Sequence, residues 1–282
     1  MGGGHYSSSD RSIRATSKGY DTKPAEQLFS SRLHPSMSPK DVKLREARDS
    51  EDHPNSFPII IGLDLTGSMG SIPRMLIKDG LPKIVQGIID AGIPDPQILF
   101  IGVGDHECDR APLQVGQFES SDELIDMWLE RTWLEKGGGG NDGESYHLAW
   151  YFAGMHTVHD AWEKRNQKGL LITIGDEKCL HTLPSSSIVD LMGSGQKNFK
   201  REELLELAEK TYNVFHIHMK GRGWDDEEDD WKDLIGQNLI ESTVLEIPEL
   251  IKKLAVKCFN KVVKSKPIVE ESASKDEPEV LL

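Results

Sequence analysis

Residues 58–71 read Pro58-Ile-Ile-Ile-Gly-Leu-Asp-Leu-Thr-Gly-Ser-Met-Gly-Ser71, and this stretch decides the fold. An apolar run, Pro58–Leu63, stops at an acid, and two hydroxyls follow at alternate positions: Asp64, Thr66 and Ser68 stand at i, i+2 and i+4. Gly67 and Gly70 allow sharp turns between them. A buried strand here places its oxygens on the loop leaving its C-terminal end, where open α/β sheets bind ligands. One carboxylate and two neutral hydroxyls form a hard, weakly charged oxygen set, suited to a cation such as Mg²⁺ that keeps some of its waters. The competing reading is a plain Gly/Ser turn between strand and helix.

Outward from this stretch, strands and helices alternate. Ile72, Met75, Leu76, Leu81, Ile84, Val85, Ile88 and Ile89 recur with a period near that of a helix, which Pro82 is expected to kink and Gly92 to end. Gln97–Gly104 reads as a second buried strand, and Leu113–Phe118 as an edge strand reached through a hairpin. Ser121–Leu134 reads as a helix, capped by Ser120 or Ser121. The tetrad Gly137–Gly140 and Asn141-Asp142-Gly143-Glu144 then lead into a helix reaching about Asp160. Gly169–Gly175 is a third central strand, ending at Asp176. After the helix Arg201–Lys210 comes the strand Asn213–Met219, then helices near Asp229–Asn238 and Pro248–Lys264. This alternation implies a mostly parallel sheet with helices on both faces. Residues 1–56 read as a polar arm without sustained periodicity, partly disordered, any helix being short and near Lys40–Arg48. Residues 57–264 form the folded domain and 265–282 an acidic tail.

The proposed strands end alike: Asp64 on the first, Asp105 on the second, Asp176 and Glu177 on the third, His218 and Lys220 on the fourth. If they run parallel, these groups gather on one sheet edge, which Asp142 also reaches. Strand ends are polar in most α/β proteins, but an acid directly after apolar strands, flanked by spaced hydroxyls, favours a site over coincidence.

These residues carry a family resemblance. Asp64-Leu-Thr-Gly-Ser68 resembles the DxTxS signature of von Willebrand factor A (vWA) domains, which marks a metal-ion-dependent adhesion site (MIDAS). Thr-Ile-Gly-Asp176 is similar to the strand that delivers the site's distal acid. The resemblance covers about residues 57–264. It is nearest to intracellular bacterial and phage forms and to the A domain attached to alpha-kinases, where a Gly-Gly-Gly-Asp run precedes the middle helix. It implies a Rossmann-like fold and a divalent cation, Mg²⁺ or Mn²⁺, on Asp64, Thr66, Ser68 and Asp176. The family's middle ligand is usually a Thr. The loop here has none, so Asp142 is the expected substitute and Asn141 the second choice. A third carboxylate tightens cation binding and weakens the pull on an incoming acidic ligand. By analogy, the implied partner offers an Asp or Glu to the metal, as in pairings with AAA+ ATPases of the MoxR type.

Composition narrows the alternatives. With 33 basic and 47 acidic residues the net charge is −14, which argues against binding a phosphate backbone by bulk electrostatics. The three cysteines, Cys108, Cys179 and Cys258, form no disulfide framework or CxxC pair and fit a reducing, cytoplasmic setting. No apolar run approaches the ~20 residues a bilayer span needs. Asp105-His-Glu-Cys-Asp109 lacks tetrahedral zinc spacing and reads as a loop near the metal edge. His216 and His218 share a strand face and read as hydrogen-bonded residues under a helix. The run Trp224–Trp231 lacks a calcium-loop pattern and reads as a helix start; the lysines from Lys252 to Lys266 suit a helix C-terminus. A non-enzymatic module is expected. The alternatives are a metal-dependent hydrolase or phosphatase and a structural protein of a larger assembly. Position 66 is Thr where a DxDx[TV] phosphatase needs a second acid, and neither a G-x-S-x-G elbow nor a P-loop occurs.

Overall fold

The structure is a computed structural model that describes residues 4–135, 141, 143–195, 197–219 and 228–261. Its centre is a six-stranded sheet. In chain order the strands are β1 (Phe57–Asp64), β2 (Pro96–Val103), β3 (Leu113–Val115), β4 (Gly169–Gly175), β5 (Tyr212–Met219) and β6 (Leu239–Ser242). Across the sheet they run β6-β5-β4-β1-β2-β3. All neighbours are parallel except β2 and the edge strand β3. This is the expected mostly parallel architecture with one antiparallel edge.

Every residue of β1, β2 and β4 is buried, as strands covered on both faces must be. The side-chain period of two divides them between two cores. Ile59, Ile61 and Leu63, with Ile172, Ile174 and Ile217, meet the helices Leu81–Asp90, Asp122–Glu130 and Ile247–Phe259. Ile60, Leu99, Leu171 and Val214 meet the helices His147–His156, Arg201–Glu209 and Glu228–Ile235 on the other face.

Several elements depart from the sequence reading. The kink expected at Pro82 is a π-helical turn, Leu76–Gly80, placed just before the helix Leu81–Asp90, whose first turn accepts a proline without an N–H. The helix expected to reach Asp160 stops at His156; Thr157–His159 instead pairs in parallel with Arg45–Ala47, and a new helix runs Asp160–Arg165. The pairing explains both differences, because the 40–48 stretch supplies a strand where a short helix was expected. Strand β6 was not anticipated: Gly236–Asn238 forms a 3₁₀ turn that delivers Leu239–Ser242 to the edge of β5.

Residues 4–56 carry a helix, Ser8–Lys18, capped by the Ser7 hydroxyl and ended by Gly19 at φ 74°. It is held by charge. Arg11 Nε donates to Asp126 Oδ1 at 2.9 Å with both side chains buried, Arg14 reaches Asp126 and Asp122, and Lys18 pairs with Glu130 at 2.6 Å.

Candidate metal centre

The register sets the site. Leu63 lies opposite Ile174, so Asp64 and Asp176 leave adjacent strands at one edge. Asp64 is fully buried, and each of its oxygens is engaged. Oδ1 accepts the Thr66 backbone N–H at 2.8 Å and the Thr66 hydroxyl at 2.6 Å. Oδ2 accepts the Tyr146 hydroxyl at 2.8 Å. Thr66 Oγ1 lies 3.1 Å from Ser68 Oγ, which donates to Asp176 Oδ1 at 2.8 Å.

Asp64 Oδ1, Thr66 Oγ1, Ser68 Oγ and Asp176 Oδ1 thus form one row of oxygens. The row has three oxygen–oxygen contacts but only two hydroxyl hydrogens when both acids are ionised. The two hydroxyl hydrogens go to the two carboxylates, so the Thr66 and Ser68 oxygens face each other with lone pairs. Oxygens at 2.0–2.1 Å from Mg²⁺ at right angles stand about 2.9 Å apart, which the spacings at Ser68 match. The donor set fits a hard divalent cation.

The charges point the same way. Burial raises the Asp64 carboxyl well above the usual carboxylate range, and Asp176 adds to this, while hydrogen bonds from Thr66 and Tyr146 oppose it. Glu144 is raised further, by burial and by Asp64, Asp109 and Asp105. Its Oε2 is buried and meets no hydrogen-bond partner among the described residues. A pocket of acids that cannot all ionise in isolation is stabilised by a cation.

No family model and no curated protein matches the chain. Among solved structures it is similar to proximal thread matrix protein 1 from the mussel byssus, with TM-score 0.50 and 13% identity over 72% of this chain and 48% of that one. The match therefore spans about half of that protein's length. The fold is the vWA fold. A second structure of the mussel protein, with a zinc-occupied MIDAS motif, aligns at TM-score 0.47 and 14% identity, over 76% of this chain and 49% of that one. The vWF domain of the pilus tip protein Mfa5 from Porphyromonas gingivalis aligns at TM-score 0.44 and 8% identity, over 74% of this chain and 97% of that one.

On this vWA scaffold the sequence-chosen residues divide. Asp64, Thr66, Ser68 and Asp176 come together. Asp142 lies outside the described residues, and Asn141 turns its amide to Glu107 Oε2 at 2.8 Å. Asp105 is held within its own loop: its Oδ1 accepts the Glu107 N–H at 2.9 Å, and its N–H donates to Asp109 Oδ2 at 2.8 Å. His216 bonds Thr173 Oγ1 through Nδ1 at 2.9 Å and stacks on Trp231 with centroids 3.7 Å apart, a buried packing role. In the acidic run, Asp230 takes a two-point ion pair from Arg201, and Trp231 Nε1 donates to the Glu177 carbonyl at 3.0 Å. Residues 220–227 lie outside the described residues. Among the described residues no three His, Cys, Asp or Glu side chains gather closely enough to hold a metal. No described helix is long and apolar enough to cross a membrane.

Sequence reasoning missed Tyr146 and left Glu144 without a role. Tyr146 falls in the segment read as an apolar helix after Glu144, and Gly175, just before Asp176, is the sequence feature that hints at its role. A Cβ on Gly175 would fall 1.9 Å from the Tyr146 hydroxyl.

Proposed function

We propose that this chain is a metal-dependent protein-interaction module. A divalent cation, Mg²⁺ or Mn²⁺, is held by Asp64, Thr66, Ser68 and Asp176, and Asp142 is the further ligand implied by the family resemblance. The cation supplies an open Lewis-acid position that an Asp or Glu of a protein partner completes. The row of four oxygens from Asp64, Thr66, Ser68 and Asp176, with successive contacts of 2.6, 3.1 and 2.8 Å, carries this reading. Tyr146 and the Thr66 backbone N–H hold the Asp64 carboxylate in place, so the loop needs no rearrangement to present its lone pairs. The setting we assign is cytoplasmic, and the partner class favoured by the resemblance is an AAA+ ATPase of the MoxR type.

Calorimetric titration of Mg²⁺ and Mn²⁺ into chelator-treated protein tests the site, with Asp64→Ala in parallel. Saturable binding that disappears in the folded variant is the expected result. Absence of binding by folded wild-type protein would overturn the reading.

A further inference from the structure

Beside the oxygen row lies a cavity of about 450 Å³, within the range of roughly 300–1,000 Å³ in which clefts bury small ligands. Thr66 and Gly67 form one wall. The rest of its lining includes Leu65, Pro73, Leu134, Arg74 and, from the N-terminal segment, Ala25. A second depression, about 210 Å³, shares Ala25 and Leu134 and adds Phe29 and Trp133. A trough thus runs from Thr66 past residues 25–31, with Leu65, Pro73, Leu134 and Phe29 as its apolar lining and Ser71, Glu26, Ser30 and Ser31 as its polar lining.

Charge complements this shape. Arg74 donates through Nη2 to the Lys23 carbonyl at 2.6 Å and makes no ion pair among the described residues. A guanidinium has five N–H donors, so this cation at the cavity wall keeps donors for an anion. The chain is strongly acidic, with net charge −14, which makes an unpaired arginine beside the site more telling.

We infer that the trough selects the partner: an acidic residue reaches the oxygen row at Thr66 while one or two aliphatic residues adjacent to it in the same peptide segment lie on Leu65, Pro73, Leu134 and Phe29, with Arg74 bonding the segment's carbonyls. This inference rests on the cation reading above and adds the partner's sequence chemistry. The N-terminal segment becomes part of the recognition surface, since Ala25 borders both depressions.

The test uses the full chain and three probes: acetyl-Glu-Leu-Leu-amide, acetyl-Glu-Gly-Gly-amide and acetyl-Gln-Leu-Leu-amide. Ligand-observed NMR titrations with Mg²⁺ give affinities, and Mn²⁺ substitution reports closeness through paramagnetic broadening of the leucine methyls. Burying even one leucine predicts at least about tenfold tighter binding of the first probe than of the second. Leucine methyl broadening is expected with the first probe, and the Gln probe should bind at least about tenfold more weakly. Arg74→Gln and Ala25→Leu, which fills the shared wall, should each weaken the first probe while leaving Mn²⁺ binding unchanged. Equal affinities for the Leu and Gly probes, or no probe binding by protein that binds Mn²⁺, would overturn the inference and leave the cation reading standing. Failure of wild-type protein to bind Mn²⁺ would overturn both.

Discussion

Tyr146 donates its hydroxyl hydrogen to Asp64 Oδ2 at 2.8 Å, and it reaches that position only because residue 175 is glycine. The tyrosine therefore fills the space a side chain on β4 would occupy. Gly175→Ala should destabilise the protein by about 1–3 kcal/mol through overpacking. Tyr146→Phe leaves a buried carboxylate oxygen without its donor and should cost about 1–3 kcal/mol. The two substitutions meet at one contact, so the double variant should lose less than the sum of the two. Urea unfolding of all four proteins checks this.

Thr66→Val keeps the shape of the side chain and removes the hydroxyl. Asp64 Oδ1 then retains only the backbone N–H of residue 66. A net loss of about 1 kcal/mol in stability is expected, within the usual range for one hydrogen bond. Divalent-cation affinity should fall by more than tenfold, because a lone-pair donor leaves the row. Mn²⁺ binding followed by electron paramagnetic resonance separates the two effects.

The N-terminal helix is anchored by Arg11 on Asp126, whose side chains are 6% and 1% exposed. Arg11→Ala leaves Asp126 buried with Arg14 as its one cationic partner among the described residues and should cost about 3–5 kcal/mol, as breaking a buried pair does. Replacing both, Arg11→Met with Asp126→Leu, should restore much of that loss, since well-packed apolar pairs often equal buried ion pairs. Thermal unfolding of the single and double variants decides it.

Acid should destabilise the fold in two stages. His159 accepts the Trp162 N–H at Nδ1, so its proton sits on Nε2 beside the Thr211 carbonyl, and burial lowers its pKa to about 4. Because the folded pKa lies below the unfolded value near 6.5, this stabilisation is complete above about pH 6.5 and is lost as pH falls toward 4. Asp160 is held at about 2 by Lys164, the Asp49 N–H and Arg48. Its contribution is present above the ordinary carboxylate pKa and is lost as pH falls through 2. A His159→Gln variant should show a flatter stability profile between pH 6.5 and 4 and an unchanged slope below it, measured by denaturant midpoints.

What the sequence disclosed follows from physical strength of signal. β1, β2 and β4 are apolar runs buried on both faces, so their composition alone marks them as central strands. β6 is a half-exposed edge strand, Leu-Ile-Glu-Ser, with little apolar content to announce it. The Ser8–Lys18 helix docks by ion pairs instead of an apolar stripe, so its periodicity carried no message. At the site, Asp64, Thr66 and Ser68 were legible through their spacing, and Asp176 through the strand before it. Tyr146 was not legible, because its role depends on a space left by a glycine 29 positions further on.

The register that joins Asp64 and Asp176 also has a mechanical consequence. Asp64 ends β1 and Asp176 follows β4, parallel neighbours paired from Ile59–Leu170 to Leu63–Ile174, at the centre of the sheet. A pull along the strand direction on both acids would move β1 and β4 together, so the load would fall in shear on the ladders that join β1 to β2 and β4 to β5, every bond of each ladder sharing the tension at once. Unzipping, in which bonds fail one after another, would need a pull across the strands. A load applied at this edge would thus be passed to strands in the middle of the sheet, each paired on both sides.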